Sequence, residues 1–374
     1  MESGNWDFVN GLLSPPGVKP VVCSASCTRL AQICAAAPGS RPQRIRVYGL
    51  LCLAGFALFI ALLAMRLDGL SEPDGQPIGT DFSNVYAAGR LVNEGRAPQA
   101  YDWALEHSIE KSIFGEQTPF YGWHYPPMFL AGRGPGAPAL YGGSLHLAGV
   151  DPRFLSRFDP AHRWSAGMVH TALAYPAVIV NIGHGHNGFL TAALFGLGLV
   201  LLERRPIVAG LLLGALCYKP QFVLLLPLAL AAGGYWRAVL AAGACALALA
   251  LLSVGLFGLS TWRAFFDSLE LTRTIVLEQG STGWQKIQSV FSAARNWGLG
   301  VPAAYALQGM ADAIVAVAVV ALWRSRADFA YKAAALLAGA LLATPYVLDY
   351  DMMTLAPALA FLAVHGLRDG FAPY

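Results

Sequence analysis

The sequence predicts an all-α protein that crosses a lipid bilayer many times. Hydrophobic residues make up 56% of its 374 residues and charged residues only 13%, whereas about 25% of a soluble domain is charged. The apolar residues are grouped into long runs, with the charges in the gaps between them. Roughly 20 apolar residues in a helix match the thickness of a bilayer, and a helix satisfies its backbone hydrogen bonds internally. A soluble protein is therefore excluded, and the net charge of +3 gives no sign of a nucleic-acid partner.

The chain divides into a tail and a membrane domain. Residues 1–45 are predicted to be a flexible cytoplasmic tail, because they lack the basic start and apolar core of a signal peptide. Residues 46–369 form the predicted transmembrane domain, whose first span is 47–67. Three arginines just before this span place the N-terminus in the cytoplasm by the positive-inside rule.

The first loop, 68–127, is long and acidic and is predicted to be extracytoplasmic. Two of its segments, 82–92 and 101–113, have the 3.6-residue period of amphipathic helices, which we expect along the outer membrane surface. The next segment, 131–164, is atypical, because it is rich in glycine and proline where a span is expected. We interpret it as one poor crossing followed by a cytoplasmic loop.

Later apolar runs predict the other spans. They are 166–182, 188–202, 207–218, 221–233, 238–258, 299–323, 329–347 and 352–367. A second long outer loop is predicted over 259–298. Because Pro220 breaks or kinks a helix, 207–218 and 221–233 are either two short helices with their tip outward or one kinked span. The first option places nearly every short basic cluster on the cytoplasmic side.

On this topology five polar motifs share the outer face. They are Thr80-Asp81-Phe82, His124-Tyr125-Pro126-Pro127, His184-Gly185-His186-Asn187, Tyr218-Lys219-Pro220-Gln221 and Asp349-Tyr350-Asp351. Ionisable groups near bilayer depth are costly and often functional. Their convergence predicts a polar site at the membrane–water boundary. A transporter would instead hold such groups near the midplane.

Two of these charged residues have a simpler explanation beside the functional one. Asp81 opens a predicted helix, so it is either an N-cap or a base that removes a proton from a hydroxyl. Lys219 lies between apolar segments, so it either extends its ammonium to the interface or holds a phosphate as a point charge.

The remaining polar residues are also open to two interpretations. His184 and His186 are either polar loop residues or hydrogen-bond partners of a phosphate or sugar. Two histidines with no third ligand nearby predict no metal site. Asp349 and Asp351 are either interfacial charges or a carboxylate pair that holds sugar hydroxyls.

Taken together, the motifs resemble glycosyltransferase family 87, the polyprenyl-phosphate-mannose-dependent mannosyltransferases of bacteria. The matching segments are GTDFSNVYAAGRLVNEG (79–95), WHYPPMF (123–129), YPAVIVNIGHGHNGFLTAALF (175–195), ERRPIVAGLLLGALCYKPQF (203–222) and TPYVLDYDMM (344–353). The resemblance implies a GT-C-like helix bundle whose long first extracytoplasmic loop carries an acidic catalytic residue. Asp81 matches that position.

The resemblance also implies an activity. The chain is expected to move a hexose, mannose first among them, from a polyprenyl-phosphate sugar to an extracytoplasmic glycan or glycolipid at the bacterial plasma membrane. Transfer inverts the anomeric carbon, Asp81 is the general base, and neither a metal nor another cofactor is needed. The expected donor-phosphate residues are Lys219, His184, His186, Asn187, Tyr125 and Gln221, and the expected sugar or acceptor residues are His124, Asp349, Tyr350 and Asp351.

Two other functions remain open from the sequence. A transporter of lipid-linked sugars is one, although no internal repeat of the kind that builds many transporters is visible. The other is a catalytically inactive relative, because 131–164 lacks the apolar spans expected after the Tyr-Pro-Pro motif.

Overall fold

The structure, a computed structural model, describes residues 41–65, 81–133 and 172–370. Within these ranges the secondary structure is helical, apart from one isolated antiparallel bridge between Ile287 and Leu348. The described residues from Gly49 onward belong to one compact unit, which contains every feature discussed below. The predicted all-α membrane fold is confirmed. Most of the predicted tail and of the atypical segment 131–164 lies outside the described residues.

The described residues form twelve α-helices, numbered in chain order. They are α1 (Arg41–Ala64), α2 (Phe82–Asn93), α3 (Trp103–Phe114), α4 (Pro176–His184), α5 (Gly188–Leu201), α6 (Pro206–Gly214), α7 (Leu226–Ala232), α8 (Trp236–Leu271), α9 (Val290–Asn296), α10 (Val301–Arg324), α11 (Phe329–Leu342) and α12 (Leu355–Asp369). Short 3-10 helices occupy Ala97–Tyr101, Pro127–Arg133, Ala215–Tyr218, Pro220–Val223, Trp284–Lys286 and Asp349–Thr354, and a π-helix occupies Thr272–Glu278.

Three helical stretches of the described chain are long and apolar enough to cross a membrane: Trp236–Glu278, Val301–Arg324 and Asp349–Asp369. In the most apolar part of the first, only 6% of the residues are buried inside the protein. Large apolar side chains such as Leu240 and Val317 point outward instead. A soluble protein rarely exposes a contiguous apolar surface of this kind, so lipid is the medium that this surface fits.

Much of the predicted outer loop over 259–298 is helical, and its location outside the membrane stays a prediction. α8 changes direction at Gly258, whose φ of 78° favours glycine. It then continues to Leu271 and passes directly into the π-helix. The apolar side chains beyond Gly258 are numerous enough to keep the helix packed, although charged residues are scattered among them. As a result, the second half of α8 forms a wall of the cavity described below.

The helix is interrupted at Lys219, as Pro220 predicts. Its backbone angles there, φ −120° and ψ 78°, are not helical, and a 3-10 helix lies on each side. α6 and α7 are therefore short separate helices. α6 packs closely on α8, because Gly210 and Gly214 have no side chain. A Cβ at either position would clash with the backbone of Ala238 or Ala242. Small residues permit such close helix contacts in membrane proteins.

Both helices predicted in the first loop are present, but their buried faces are more polar than the pattern indicated. α2 buries Ser83 and Asn84 and leaves Tyr86 half exposed. α3 buries two carboxylates, Glu106 and Glu110, four residues apart on one face. Polar side chains on buried faces need partners, and these partners belong to the site.

Candidate functional site

A cavity of about 260 Å³ opens between the start of α2, the turn at Lys219 and the second half of α8. Seven of the predicted site residues line it: Asp81, His124, Tyr125, His186, Lys219, Gln221 and Tyr350. His184, Asn187, Asp349 and Asp351 are not on its wall, but each contacts a residue that is. The fold thus brings together all five motifs, which are spread over about 270 residues of sequence.

Asp81 lies beside a histidine that is shared with a second carboxylate. Its Oδ2 is 3.8 Å from Nδ1 of His184, and Nε2 of His184 is 3.3 Å from Oδ2 of Asp349. Burial raises the pKa of Asp81 to about 6, against the lowering effect of His184 and Lys286 and with a further raising effect of Asp349. Asp81 therefore titrates close to neutral pH.

The capping explanation of Asp81 is not supported. The residue immediately precedes α2, but its side chain makes no capping hydrogen bond to the helix. Its φ and ψ are those of a helical residue, whereas an N-cap usually has extended angles. The carboxylate is instead directed to the cavity and to His184.

Lys219 is buried rather than extended to the interface. Its side chain is almost fully inaccessible, and Nζ lies 2.5 Å from Oδ1 of Asp351. The other oxygen of Asp351 accepts a hydrogen bond from the backbone N–H of Leu348 at 3.1 Å. The Lys219 ammonium also lies over the ring of Tyr350, 4.9 Å from its centroid. The predicted phosphate cation and one predicted sugar carboxylate thus bind each other.

His186 holds two aromatic rings of the cavity wall. It stacks on Tyr350 with 3.7 Å between ring centroids. The backbone N–H of Asn187 donates to Nδ1 of His186 at 2.9 Å. Nε2 lies 3.0 Å from the Tyr125 hydroxyl. His186 thus reaches the cavity together with the aromatic side chains that it orients.

His124 connects the first loop to the π-helix. Its Nδ1 is 2.9 Å from Oγ1 of Thr272. Burial lowers the pKa of His124 to about 4, so the imidazole is neutral at physiological pH. A neutral imidazole offers a hydrogen bond to a ligand without attracting its charge.

The two buried carboxylates of α3, Glu106 and Glu110, form hydrogen bonds within the first loop, next to Asp81. Glu110 accepts hydrogen bonds from the Ser83 hydroxyl at 2.7 Å and from the Tyr121 N–H at 3.4 Å. Glu106 accepts one from the Trp123 N–H at 3.2 Å. Burial raises the pKa of Glu110 to about 7, and burial together with the neighbouring Glu110 also raises the pKa of Glu106 well above its usual range.

Several cavity residues are absent from the sequence-based prediction. They are Asn84, Tyr121, Phe265, Thr272, Arg273, Thr282 and Tyr346. Asn84 had a usable signal, because it lies three residues after Asp81 and so on the same side of a helix. Thr272, Arg273 and Thr282 had none, because they belong to the segment that was interpreted as a loop.

A family model described as glycosyltransferase family 87 matches residues 118–345, well over half of the chain. The chain belongs to glycosyltransferase family 87. The family-87 match includes the segments that carry Tyr125, His186 and Lys219, while Asp81 precedes it and Asp351 follows it. The protein is therefore a membrane glycosyltransferase. No curated protein and no solved structure matches it.

One side-chain cluster among the described residues has the composition of a metal site. Asp328, His365 and Asp369 bring their ligand atoms within 4.8 Å of one another. Arg368 binds both carboxylates, at 2.8 Å and 2.7 Å, so the cluster already contains its own cation. It contributes no residue to the cavity, and the absence of a metal from the reaction stays a prediction.

Proposed function

We propose that this family-87 glycosyltransferase moves a hexose, specifically mannose, from a polyprenyl phosphate to a hydroxyl of a glycan or glycolipid acceptor. The reaction takes place on the extracytoplasmic side of the bacterial plasma membrane. The observation that carries the proposal is the position of Asp81, a largely buried carboxylate on the cavity wall with its pKa raised to about 6. General bases work best when their pKa lies near the operating pH.

Asp81 is the general base of the proposed reaction. It accepts the proton of the acceptor hydroxyl as that oxygen forms a bond to the anomeric carbon of the donor sugar. The bond between this carbon and the phosphate oxygen breaks, and the polyprenyl phosphate departs from the opposite face, so the configuration inverts. His184, between Asp81 and Asp349, orients the base and keeps its pKa from rising further.

Lys219 stabilises the departing phosphate in this proposal. An ammonium has three N–H donors, and the ion pair with Asp351 uses one of them. The positive charge acts strongly because Lys219 is buried away from water. Tyr125, His186, Asn187, Gln221 and His184 are the proposed hydrogen-bond partners of the phosphate, either directly or through a residue on the wall.

The sugar and acceptor side of the cavity is assigned to the remaining predicted residues. His124 is neutral and lines the cavity, so it suits a hydroxyl better than a phosphate. Tyr350 offers a ring face beside Lys219. Asp349 and Asp351 hold His184 and Lys219 in place, so their proposed contribution to sugar binding is indirect.

Family membership favours an enzyme over a transporter of lipid-linked sugars. The intact cluster of Asp81, His184 and Asp349 beside the Lys219–Asp351 pair favours an active enzyme over an inactive relative. The functional test is transfer by the purified protein in lipid nanodiscs, with polyprenyl-phosphate mannose or GDP-mannose as donor. Lipid extract from a strain that lacks the gene supplies the acceptor.

We expect transfer only from the polyprenyl donor, with the anomeric configuration of the product opposite to that of the donor when measured by NMR. Chelation by EDTA is expected to leave the rate unchanged. Transfer from GDP-mannose alone, or retention of configuration, would contradict the proposed donor or mechanism.

A further inference from the structure

Asn84 has an unusual environment for a buried polar residue. It is only 5% exposed and lines the cavity together with Asp81. Its Oδ1 makes no hydrogen bond to any described residue. Leaving such an atom unpaired costs roughly 1–3 kcal/mol, and the great majority of buried polar atoms in folded proteins have a partner. A missing partner at a cavity wall points to a ligand that supplies it.

The position of Asn84 relative to Asp81 restricts what this ligand is. Residues three apart on a helix lie side by side, with about 5–6 Å between their Cβ atoms. Ser83, between them in the sequence, donates its hydroxyl hydrogen bond to Glu110 and does not line the cavity. The carboxylate of Asp81 and the amide of Asn84 therefore present two polar groups next to each other on the same wall. Two adjacent hydroxyls of a sugar ring or of glycerol match this pair.

We propose that Asn84 binds a second hydroxyl of the acceptor, next to the hydroxyl that Asp81 deprotonates, so that the enzyme selects acceptors with a vicinal diol. This inference rests on the proposed function, because it takes Asp81 as the base. The amide donates through Nδ2 and accepts through Oδ1, so it satisfies a hydroxyl in either hydrogen-bond direction. A site built to pair a hydroxyl strongly rejects an acceptor that lacks it.

The stability of a variant separates this role from a structural one. If Asn84 were needed for packing, Asn84→Ala would lower the unfolding temperature. If the Asn84 oxygen is paired only when a ligand is bound, Asn84→Ala removes an unpaired buried group from the free protein. Alanine also has a higher helix propensity than asparagine. We therefore expect an unfolding temperature equal to or above that of the wild type. Asn93→Ala, at the exposed end of the same helix, is the matched control.

The kinetic test uses purified protein in nanodiscs, polyprenyl-phosphate mannose and graded amounts of acceptor extract from a strain lacking the gene. Asn84→Ala should raise the acceptor KM at least tenfold and leave the donor KM within twofold of the wild type. Asn93→Ala should change neither. An unchanged acceptor KM, a rise in the donor KM instead, or a loss of folded protein would each overturn the assignment.

Failure of the inference is distinct from failure of the proposed function. If Asn84→Ala retains the wild-type acceptor KM while Asp81→Asn is inactive, the base stands and the diol site is wrong. If Asp81→Asn transfers sugar normally, the proposed mechanism is wrong, and the assignment of Asn84 falls with it.

Discussion

Lys219 and Asp351, 132 residues apart in the chain, form a buried ion pair with 2.5 Å between Nζ and Oδ1. The pair connects the turn between α6 and α7 to the 3-10 helix that precedes α12. Burying two charges costs several kcal/mol per ion, and their attraction often only offsets that cost. Stability alone therefore does not explain the pair. Lys219 lines the cavity while Asp351 holds it from behind, and this position of the ammonium supports a role in binding a ligand anion.

Breaking this ion pair should destabilise the protein more than removing it altogether. Lys219→Met leaves Asp351 buried and unpaired, which costs about 3–5 kcal/mol. We expect a clear fall in unfolding temperature for Lys219→Met, and recovery in Lys219→Met/Asp351→Leu, measured by thermal unfolding in nanodiscs. Both variants should lack sugar transfer, because neither has a cation at the phosphate.

The half-buried Lys332 provides the control for that experiment, because Lys332→Met removes a lysine whose ammonium bonds only the backbone carbonyl of Ser325. Wild-type transfer by the double variant would remove Lys219 from the reaction. A double variant no more stable than Lys219→Met would show that the two side chains are not energetically coupled.

The rate of transfer should depend on the ionisation of Asp81. Its pKa of about 6 predicts that kcat/KM falls as the pH drops below about 6, because a protonated base accepts no proton. Replacing His184 by Gln removes a neighbour that lowers the pKa of Asp81. The acid limb of the profile should therefore move to higher pH.

A pH profile of kcat/KM from pH 4.5 to 9 measures this effect. His107→Gln serves as the control. His107 belongs to the same loop as Asp81, but it bonds the backbone carbonyl of Thr118 instead of a carboxylate. An acid limb that is unchanged in His184→Gln would contradict the electrostatic link between His184 and Asp81.

Asp81 should also lower the stability of the protein at neutral pH. Its folded pKa is raised from 3.8 to about 6, so its contribution is fully present below pH ~4 and is lost as the pH rises through about 6. About two pKa units correspond to ~3 kcal/mol. Asp81→Asn should therefore unfold at a higher temperature than the wild type at pH 7 and at a similar one at pH 4. If Asp81→Asn and the wild type unfolded at the same temperature at pH 7 as well as at pH 4, the burial of an ionised carboxylate at position 81 would be contradicted.

The glutamate pair behind the site predicts a second pH effect on stability. Because the pKa of Glu110 is raised to about 7 and the pKa of Glu106 is also raised, the folded state favours their protonated forms. Stability should fall as the pH rises from about 5 through 7 and beyond. Glu106→Gln is expected to flatten this dependence, since Gln keeps an oxygen for the Trp123 N–H.

Unfolding temperatures at intervals from pH 5 to 9 test this prediction. Glu116→Gln, at an exposed position in the same loop, should follow the wild-type curve. If Glu106→Gln also follows the wild-type curve, the Glu106 carboxyl does not contribute to the pH dependence of stability, and the claim that burial raises its pKa is wrong.

Much of the fold was predictable, because the length of each apolar run and the charges between the runs indicate which segments can span the bilayer. The predicted spans 188–202 and 299–323 match α5 and α10 to within two residues. The interruption at Lys219 followed from Pro220, which cannot donate a backbone hydrogen bond. The continuation of the helix beyond Gly258 was not predictable, because scattered charges there resemble a loop while the apolar side chains between them support a helix.

Seven of the residues that line the cavity were predictable as a polar cluster, but their pairings were not. Asp81, Lys219 and His186 were identifiable as polar groups in apolar surroundings, a pattern that membrane proteins rarely tolerate without function. Their partners depend on contacts between distant helices, so the sequence could not show that Lys219 binds Asp351 rather than standing alone. Thr282 became visible only through the unpaired hydroxyl oxygen that the folded structure leaves at the cavity.

The most direct test of the account is the rate of sugar transfer by Asp81→Asn, beside Asp102→Asn as control. Asp102 belongs to the same loop and caps α3 through the Leu105 N–H, a role that Asn also performs. At saturating polyprenyl-phosphate mannose, the account predicts a rate for Asp81→Asn at least ~10² below that of the wild type, with the donor still bound. It predicts a near-normal rate for Asp102→Asn. Wild-type turnover by purified, folded Asp81→Asn would contradict it.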